Sequence, residues 1–322
     1  MKSRLKIILV AILGAVLLVT PFALAYPTKP VSLMVGYPAG GSTDIGARVL
    51  ATIAEKDLGQ PIVVLNKAGA GGQVGWTELA RQKPDGYYIG FINLPAMNCT
   101  ILDPERKATF DIDSFTPIIN QVLDPGVIYV KPEGPYKNLK DLIEDARKRP
   151  GEIRAGTTGI LSDDHLGILM LEEAAKVKFR IVHFDGDTPQ VTALMGGQID
   201  VSFLNVGGLT LRVKTGQLRA LVVMDREKCN FYPDVPTSVE LGYPTVTTSS
   251  TRGIVGPKGT PESIVKKLQA VFKKAMEDPE HVKNMDKAGL GIKIMMGDEY
   301  VKYIKDLHEK VKKLVDEARK AR

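Results

Sequence analysis

Short apolar runs alternate with longer runs whose apolar residues return every three or four positions, from about residue 31 to residue 224. VSLMVGY (31–37) leads into a helix-like run near 43–57, and PIVVLN (61–66) leads into one near 73–81. YYIGFIN (87–93) follows. GVIYVKP (126–132) precedes NLKDLIEDARKR (138–149), with Asn138 placed to cap that helix and Pro150-Gly151 to stop it. IRAGTT (153–158) precedes a helix from about Ser162. FRIVHF (179–184) precedes TPQVTALMGG, where Thr188 is expected to cap and Pro189 to take the first helical position. IDVSFLN (199–205) and LRALVVM (218–224) complete the series. Alternating strand and helix signals of this kind predict an α/β fold of parallel sheets covered by helices on both faces.

The C-terminal third changes period. A helix beginning at Thr260-Pro261 places Ile264, Val265, Leu268, Val271, Phe272 and Ala275 on one stripe. A final helix does the same with Tyr300, Ile304, Leu307, Val311 and Leu314, its lysines and glutamates forming a solvated face. No Pro/Gly/Ser-rich tether divides the chain, so two lobes would have to be joined by more than one crossing. The crossings are expected near Ile119–Asp124 and Val222–Arg226. They divide the chain into a leader (1–25), a discontinuous lobe 1 (26–122 and 223–322) and an inserted lobe 2 (123–222).

The leader changes the reading of compartment. Lys2, Arg4 and Lys6 precede the apolar run IILVAILGAVLLV, and Ala23-Leu24-Ala25 has the small residues of a cleavage site, which predicts export and removal of residues 1–25. Tyr26 stands where a lipid-bearing cysteine would be needed, which argues against a lipid anchor. Without those residues the net charge falls from +6 to about +3, too little to argue for nucleic acid or a membrane surface as partner. An export compartment permits a disulfide between Cys99 and Cys229, although nothing in the sequence brings them together.

Three loops between strand and helix signals carry the candidate chemistry. In YPAGGSTD (37–44) two glycines precede three residues of capping type, so the free amides of a helix start would face a ligand anion. NKAGAGGQVGW (66–76) is too rich in glycine for a plain turn. It fails the dinucleotide fingerprint, because Val74 stands where G-x-G-x-x-G needs its last glycine, and a carboxylate cradle fits it better than a phosphate site. GTTGILSDDHL (156–166) again joins a strand to a helix start through hydroxyl residues, with His165 in the first turn. Catalytic and metal readings find little: there is no H-E-x-x-H, no cysteine pair with metal spacing and no G-x-S-x-G. Asp163-Asp164 and Asp185/Asp187 are rich in carboxylates without any sequence sign of an acid–base pair. A secreted enzyme using Asp44, His165 or Asp185 is the alternative from another class, and a sensor subunit is a further one. Trp76 is expected in the core.

Taken in order, YPTKPVSLMVGYPAGGSTDIGAR, LGQPIVVLNKAGAGGQVGW, KPDGYYIG, DSFTPI, GTTGILSDDHL, ALMGGQIDVSF, TGQLRALVV, YPDVPTSVELGYP and VGPKGTPESIVKKL resemble the substrate-binding proteins of tripartite tricarboxylate transporters, the Bug family. The resemblance implies a type II periplasmic-binding-protein fold, two doubly wound lobes around a ligand cleft. It implies a periplasmic, monomeric, non-catalytic receptor with no cofactor and no metal, which passes a small organic carboxylate to membrane transporter subunits. It places the ligand against Tyr37, Ala39, Gly41, Ser42, Thr43 and Asp44, and against Gly69, Ala70 and Gly71. From lobe 2 it adds Thr158, Ser162, His165, Asp185 and Asn205. Asp44 is expected to order its loop rather than to receive a ligand ammonium. Two departures stand out: HFDG (183–186) replaces an aromatic-Lys-Gly stretch, and Thr251-Arg252-Gly253 replaces a segment that often carries Trp.

Overall fold

The computed structural model describes residues 26–320, with side chains as far as Asp316; the expected leader, 1–25, lies outside the described residues. The strands are β1 (Val31–Val35), β2 (Ile62–Asn66), β3 (Tyr88–Leu94), β4 (Phe115–Val130), β5 (Arg154–Thr157), β6 (Arg180–His183), β7 (Val201–Asn205), β8 (Arg219–Met224), β9 (Ser249–Pro257) and β10 (Ile292–Met296). The helices are α1 (Ser42–Leu58), α2 (Gln73–Ala80), α3 (Ala96–Leu102), α4 (Leu139–Lys148), α5 (Asp163–Ala175), α6 (Asp187–Met195), α7 (Thr210–Lys214), α8 (Glu262–Met276), α9 (Pro279–Ala288) and α10 (Gly297–Lys320).

Several helix ends follow directly from side-chain chemistry. Asn138 accepts from the amide of Asp141 at 3.0 Å and opens α4; Ser162 accepts from the amide of His165 at 3.2 Å and opens α5. The start of α6 differs from expectation. Gly186 is its cap and Asp187 its first residue, so Asp187 rather than Thr188 stands at the positive end of that helix.

The sheets are mixed rather than parallel. β1 pairs with β2 and β3 in parallel, and β5 with β6 and β7 in parallel. β4 and β9 run antiparallel to each other and to their flanking strands. The cause is topological: both strands carry the chain between lobes, one outward and one back. β4 is long because Phe115–Pro125 pairs with β9 in lobe 1, while Gly126–Val130 pairs with β7 and β8 in lobe 2. β9 and β10 lie outside the strand and helix signals read from the sequence.

Two cores divide the packing accordingly. One collects Leu33, Leu50, Phe91, Ile118, Ile254 and Phe272. Another collects Ile128, Leu142, Leu171, Phe203, Val222 and Val246. The chain beyond 222–226 stays packed with this second core. Tyr232 packs on Tyr129, the amide of Thr248 donates to the carbonyl of Met224 at 3.0 Å, and the amide of Gly126 donates to the carbonyl of Thr248 at 2.9 Å. The return runs through β9.

Trp76 is fully buried, donates Nε1–H to the carbonyl of Phe91 at 3.1 Å, and lies against Gly72, where any Cβ would meet the indole at 2.6 Å. That contact, together with a φ of +100° at Gly72, explains one glycine of NKAGAGG as a packing requirement. Cys99 and Cys229 are free buried thiols in separate clusters, and burial pushes the Cys99 thiol up to about 12.

Candidate functional site

The ends of β1, β3 and β7, the hinge strand β9 and the starts of α1, α5 and α6 converge between the lobes. A cavity of about 20 Å³ lies there, lined by Tyr37, Pro38, Gly41, Ser42, Thr43, Asn93, Thr158, Asp163, Asp187, Asn205, Ser250 and Arg252. That volume holds a single water molecule, so the lobes are closed on each other. A shallower groove of about 110 Å³ shares Gly41, Ser42 and Asp187 with it and continues past Thr188 and Gly208 to Arg212. A larger groove of about 570 Å³ lies elsewhere, between α4, α5 and the end of α10, lined by Leu166, Leu169, Met170 and Leu314. It is away from the strand ends.

The amide of Ser42, at the start of α1, donates to Oδ2 of Asp187 at 2.8 Å, and the Ser42 hydroxyl donates to the same oxygen at 2.5 Å. A carboxylate oxygen from lobe 2 thus sits on the open end of a 17-residue helix in lobe 1. At the second glycine loop, the amide of Gly71 points to Oδ1 of Asp185 at 3.4 Å, and Tyr37 donates its hydroxyl hydrogen to the carbonyl of Gly71 at 3.2 Å. Thr43 accepts at Oγ1 from Asn93 at 2.9 Å.

The far wall is charged and buried. Arg252 donates to Asp124 at 2.6 Å and to Oδ1 of Asn205 at 3.1 Å. Asn205 in turn donates to Oδ2 of Asp163 at 2.7 Å. Thr158 donates its hydroxyl to Asp164 at 2.5 Å. Burial pushes Asp163 and Asp164 above the usual carboxylate range; Asn205 and Arg252 pull Asp163 back down, whereas the charge of Asp163 pushes Asp164 further up. Burial also raises Asp124, against the pull of Arg252.

Of the expected site residues, Tyr37, Gly41, Ser42, Thr43, Thr158 and Asn205 line the inner cavity. Ala39, Gly69, Ala70, Gly71 and Asp185 do not line it. Ala39 accepts from the Thr188 hydroxyl at 3.3 Å, and the carbonyl of Ala70 accepts from Arg106. Asp44 is engaged internally. Its oxygens accept from the amide of Gly40 at 2.9 Å, from Arg48 at 2.9 Å and 3.0 Å, and from Asn66 at 2.9 Å. Burial raises its pKa, but the bonds from Arg48, Gly40 and Asn66 outweigh that and hold it below the usual value. Ser162 is the cap of α5, and His165 accepts at Nδ1 from the amide of Leu161 at 2.9 Å while its ring meets His183 edge-on at 4.8 Å. Both hold the third loop in shape.

Asn93, Asp163, Asp187, Ser250 and Arg252 are additional lining residues. Arg252 had a sequence signal, its place in Thr251-Arg252-Gly253 where the family often carries Trp, and Asp187 had one in its closeness to Asp185. Asn93 and Ser250 had none, because only the register Asn93↔Arg252 brings β3 beside β9. Among the described residues no three His, Cys, Asp or Glu side chains are grouped to hold a metal ion, and no helix is long and apolar enough to cross a membrane.

Residues 46–319 match the model of the TctC family, described as tripartite tricarboxylate transporter family receptor. The chain belongs to that family. A protein encoded in the gbd 5' region of Cupriavidus necator is 33% identical over 292 residues, covering 90% of this chain and 88% of the relative. The solved structure of the periplasmic binding protein BugD is similar at 30% identity with a TM-score of 0.84, covering 91% of this chain and 98% of that one. MatC from Rhodopseudomonas palustris, solved with bound malate, is similar at 26% identity with a TM-score of 0.82, covering 90% of this chain and all of that one. The TctC/Bug receptor is thus a two-lobed solute-binding protein.

Proposed function

We propose that this TctC receptor captures a small organic carboxylate in the periplasm and presents it to the membrane subunits of a tripartite transporter. The observation that carries the reading is the Ser42 contact. The amide and hydroxyl at the start of α1 already hold a carboxylate oxygen, that of Asp187. Donors that suit an aspartate suit a ligand carboxylate equally, and the helix dipole favours the same charge. The malate bound by MatC supports a ligand of that class. Gly41 is part of the design: its φ is unexceptional, but a Cβ there would lie 3.5 Å from the carbonyl of Pro38 and 3.6 Å from Oδ2 of Asp187. The methyl groups of a valine would enter the space in which the carboxylate oxygen sits.

We take the lobes as 26–124 with 250–320, and the inserted lobe as 125–249, so that the two hinge strands meet beside the cleft. No catalytic role is assigned. Asp44 and His165, two of the three residues of the enzyme alternative, are both occupied by backbone or neighbouring side chains.

The test is calorimetric titration of the mature protein with malate and a panel of mono-, di- and tricarboxylates. A charged hydrogen bond lost at Ser42 costs about 1.5–3 kcal/mol. Gly41→Val should therefore weaken the best carboxylate at least tenfold while circular dichroism shows a folded protein. Unchanged affinity in a folded Gly41→Val protein would place the carboxylate elsewhere.

A further inference from the structure

The turn joining β6 to α6 reads Asp185-Gly186-Asp187, and its two acids reach the two glycine-rich loops of the opposite lobe. Asp187 takes the amide and hydroxyl of Ser42 at 2.8 Å and 2.5 Å, and Asp185 faces the amide of Gly71 at 3.4 Å. Thr188 adds a hydrogen bond to the carbonyl of Ala39 at 3.3 Å. Gly186 is buried at the centre of this contact with φ +112°, and a Cβ there would meet Pro38 at 3.0 Å and Tyr37 at 3.3 Å. The turn therefore lies flat on lobe 1, with one carboxylate directed to each loop.

We propose that Asp185-Gly186-Asp187 is a built-in carboxylate latch, which closes the lobes without ligand and must leave Ser42 before a ligand carboxylate can bind. This rests on the reading of the glycine loops as the carboxylate site. Three observations support it beyond the hydrogen bonds themselves. The inner cavity, at about 20 Å³, has no room for an organic acid while Asp187 is in place. Asp187 and Ser42 line both that cavity and the 110 Å³ groove outside it, so withdrawing Asp187 joins the two spaces. Two like charges cannot share the Ser42 donors, so ligand carboxylate and Asp187 exclude each other there. The latch acts as an internal competitor. A receptor that is competent for only a tenth to a hundredth of the time binds roughly 10- to 100-fold more weakly than its open form. It would also disfavour weak monocarboxylates, which could displace one acid but not both.

The experiment uses the mature protein, Asp187→Ala and Asp185→Asn/Asp187→Asn. The paired asparagines keep side-chain size and serve as a second variant should the alanine perturb α6. Small-angle scattering without ligand and calorimetric titration with L-malate are measured on each. The latch predicts a compact ligand-free wild type, an expanded ligand-free variant, and at least tenfold tighter malate binding by the variant wherever wild type binds malate. Folded variants as compact as wild type overturn it, and so does an expanded wild type. Variants that open yet bind malate more weakly overturn the competition. The two readings fail separately. If neither wild type nor variants bind any carboxylate but the variants open, closure by Asp185 and Asp187 stands, and both the competition and the carboxylate site are lost. If Gly41→Val abolishes carboxylate binding and the Asp187 variants remain closed, the site stands and the latch is lost.

Discussion

Asp163 and Asp164 are adjacent, buried, and one bond away from the cleft, a costly arrangement for two carboxylates. Around them face Arg252, Asp124, Asp187, Asn205 and Thr158. Asp163 has the hydrogen bond from Asn205 and the nearby charge of Arg252; Asp164 has only the amide and hydroxyl of Thr158 and is pushed the furthest. A carboxyl whose folded pKa is raised contributes stability at low pH. That contribution is lost as pH rises above the ordinary carboxylate value towards the folded one. Each tenfold change in proton affinity corresponds to about 1.4 kcal/mol. Asp164→Asn should therefore lose less stability than wild type between pH 4 and pH 8 and be the more stable of the two at pH 8. Urea unfolding at both pH values measures it, and parallel pH profiles would show that Asp164 ionises as freely as an exposed acid. At this scale the sequence was informative where a residue type has a local job. Asn138, Ser162 and Asp44 could be assigned from capping chemistry, because cap and amide are three or four residues apart. Asn93 and Ser250 could not, since their place in the cavity depends on strands that pair across more than 120 residues of chain.

Among the elements, β4 and β9 matter most for function, for they form the hinge and place Arg252 and Asp124 beside the cleft. The ion pair joining them is 2.6 Å long with both side chains almost fully buried. Asp124 also accepts from the amide of Gly207 at 3.1 Å and 3.2 Å, so the pair ties β4, β9 and the loop after β7 together. Removing one partner of such a pair leaves a buried charge without compensation, at a cost of about 3–5 kcal/mol. Arg252→Leu should lower unfolding free energy by that order, and Arg252→Leu/Asp124→Leu should recover much of the loss. A single variant as stable as wild type in denaturant would mean that water reaches Asp124. The helices α1, α4 and α8 could be read from period because each buries one stripe of its own sequence, and the start of α5 from its cap Ser162. β9 could not, because its run SSTRGIVGP holds a charge and is a strand only through pairing with β3 on one side and β4 on the other.

The whole molecule is two cores joined by crossing strands, closed over a cavity of one water molecule's size. Opening at the hinge has to admit the solute, and closure has to satisfy the donors at the start of α1 with either Asp187 or a ligand oxygen. The two-lobed plan was legible in the sequence because strand and helix signals alternate and no single tether separates them. The closed contact was not legible, because it joins Ser42 to a residue 145 positions away. The central claim is that the Ser42 amide is the carboxylate-binding donor of this receptor. A crystal structure of the mature protein with the carboxylate that binds best in calorimetry tests it most directly. The account predicts a ligand carboxylate oxygen within hydrogen-bond distance of the Ser42 amide, with Asp187 turned away. A bound carboxylate located elsewhere, with Asp187 still on Ser42, would contradict it.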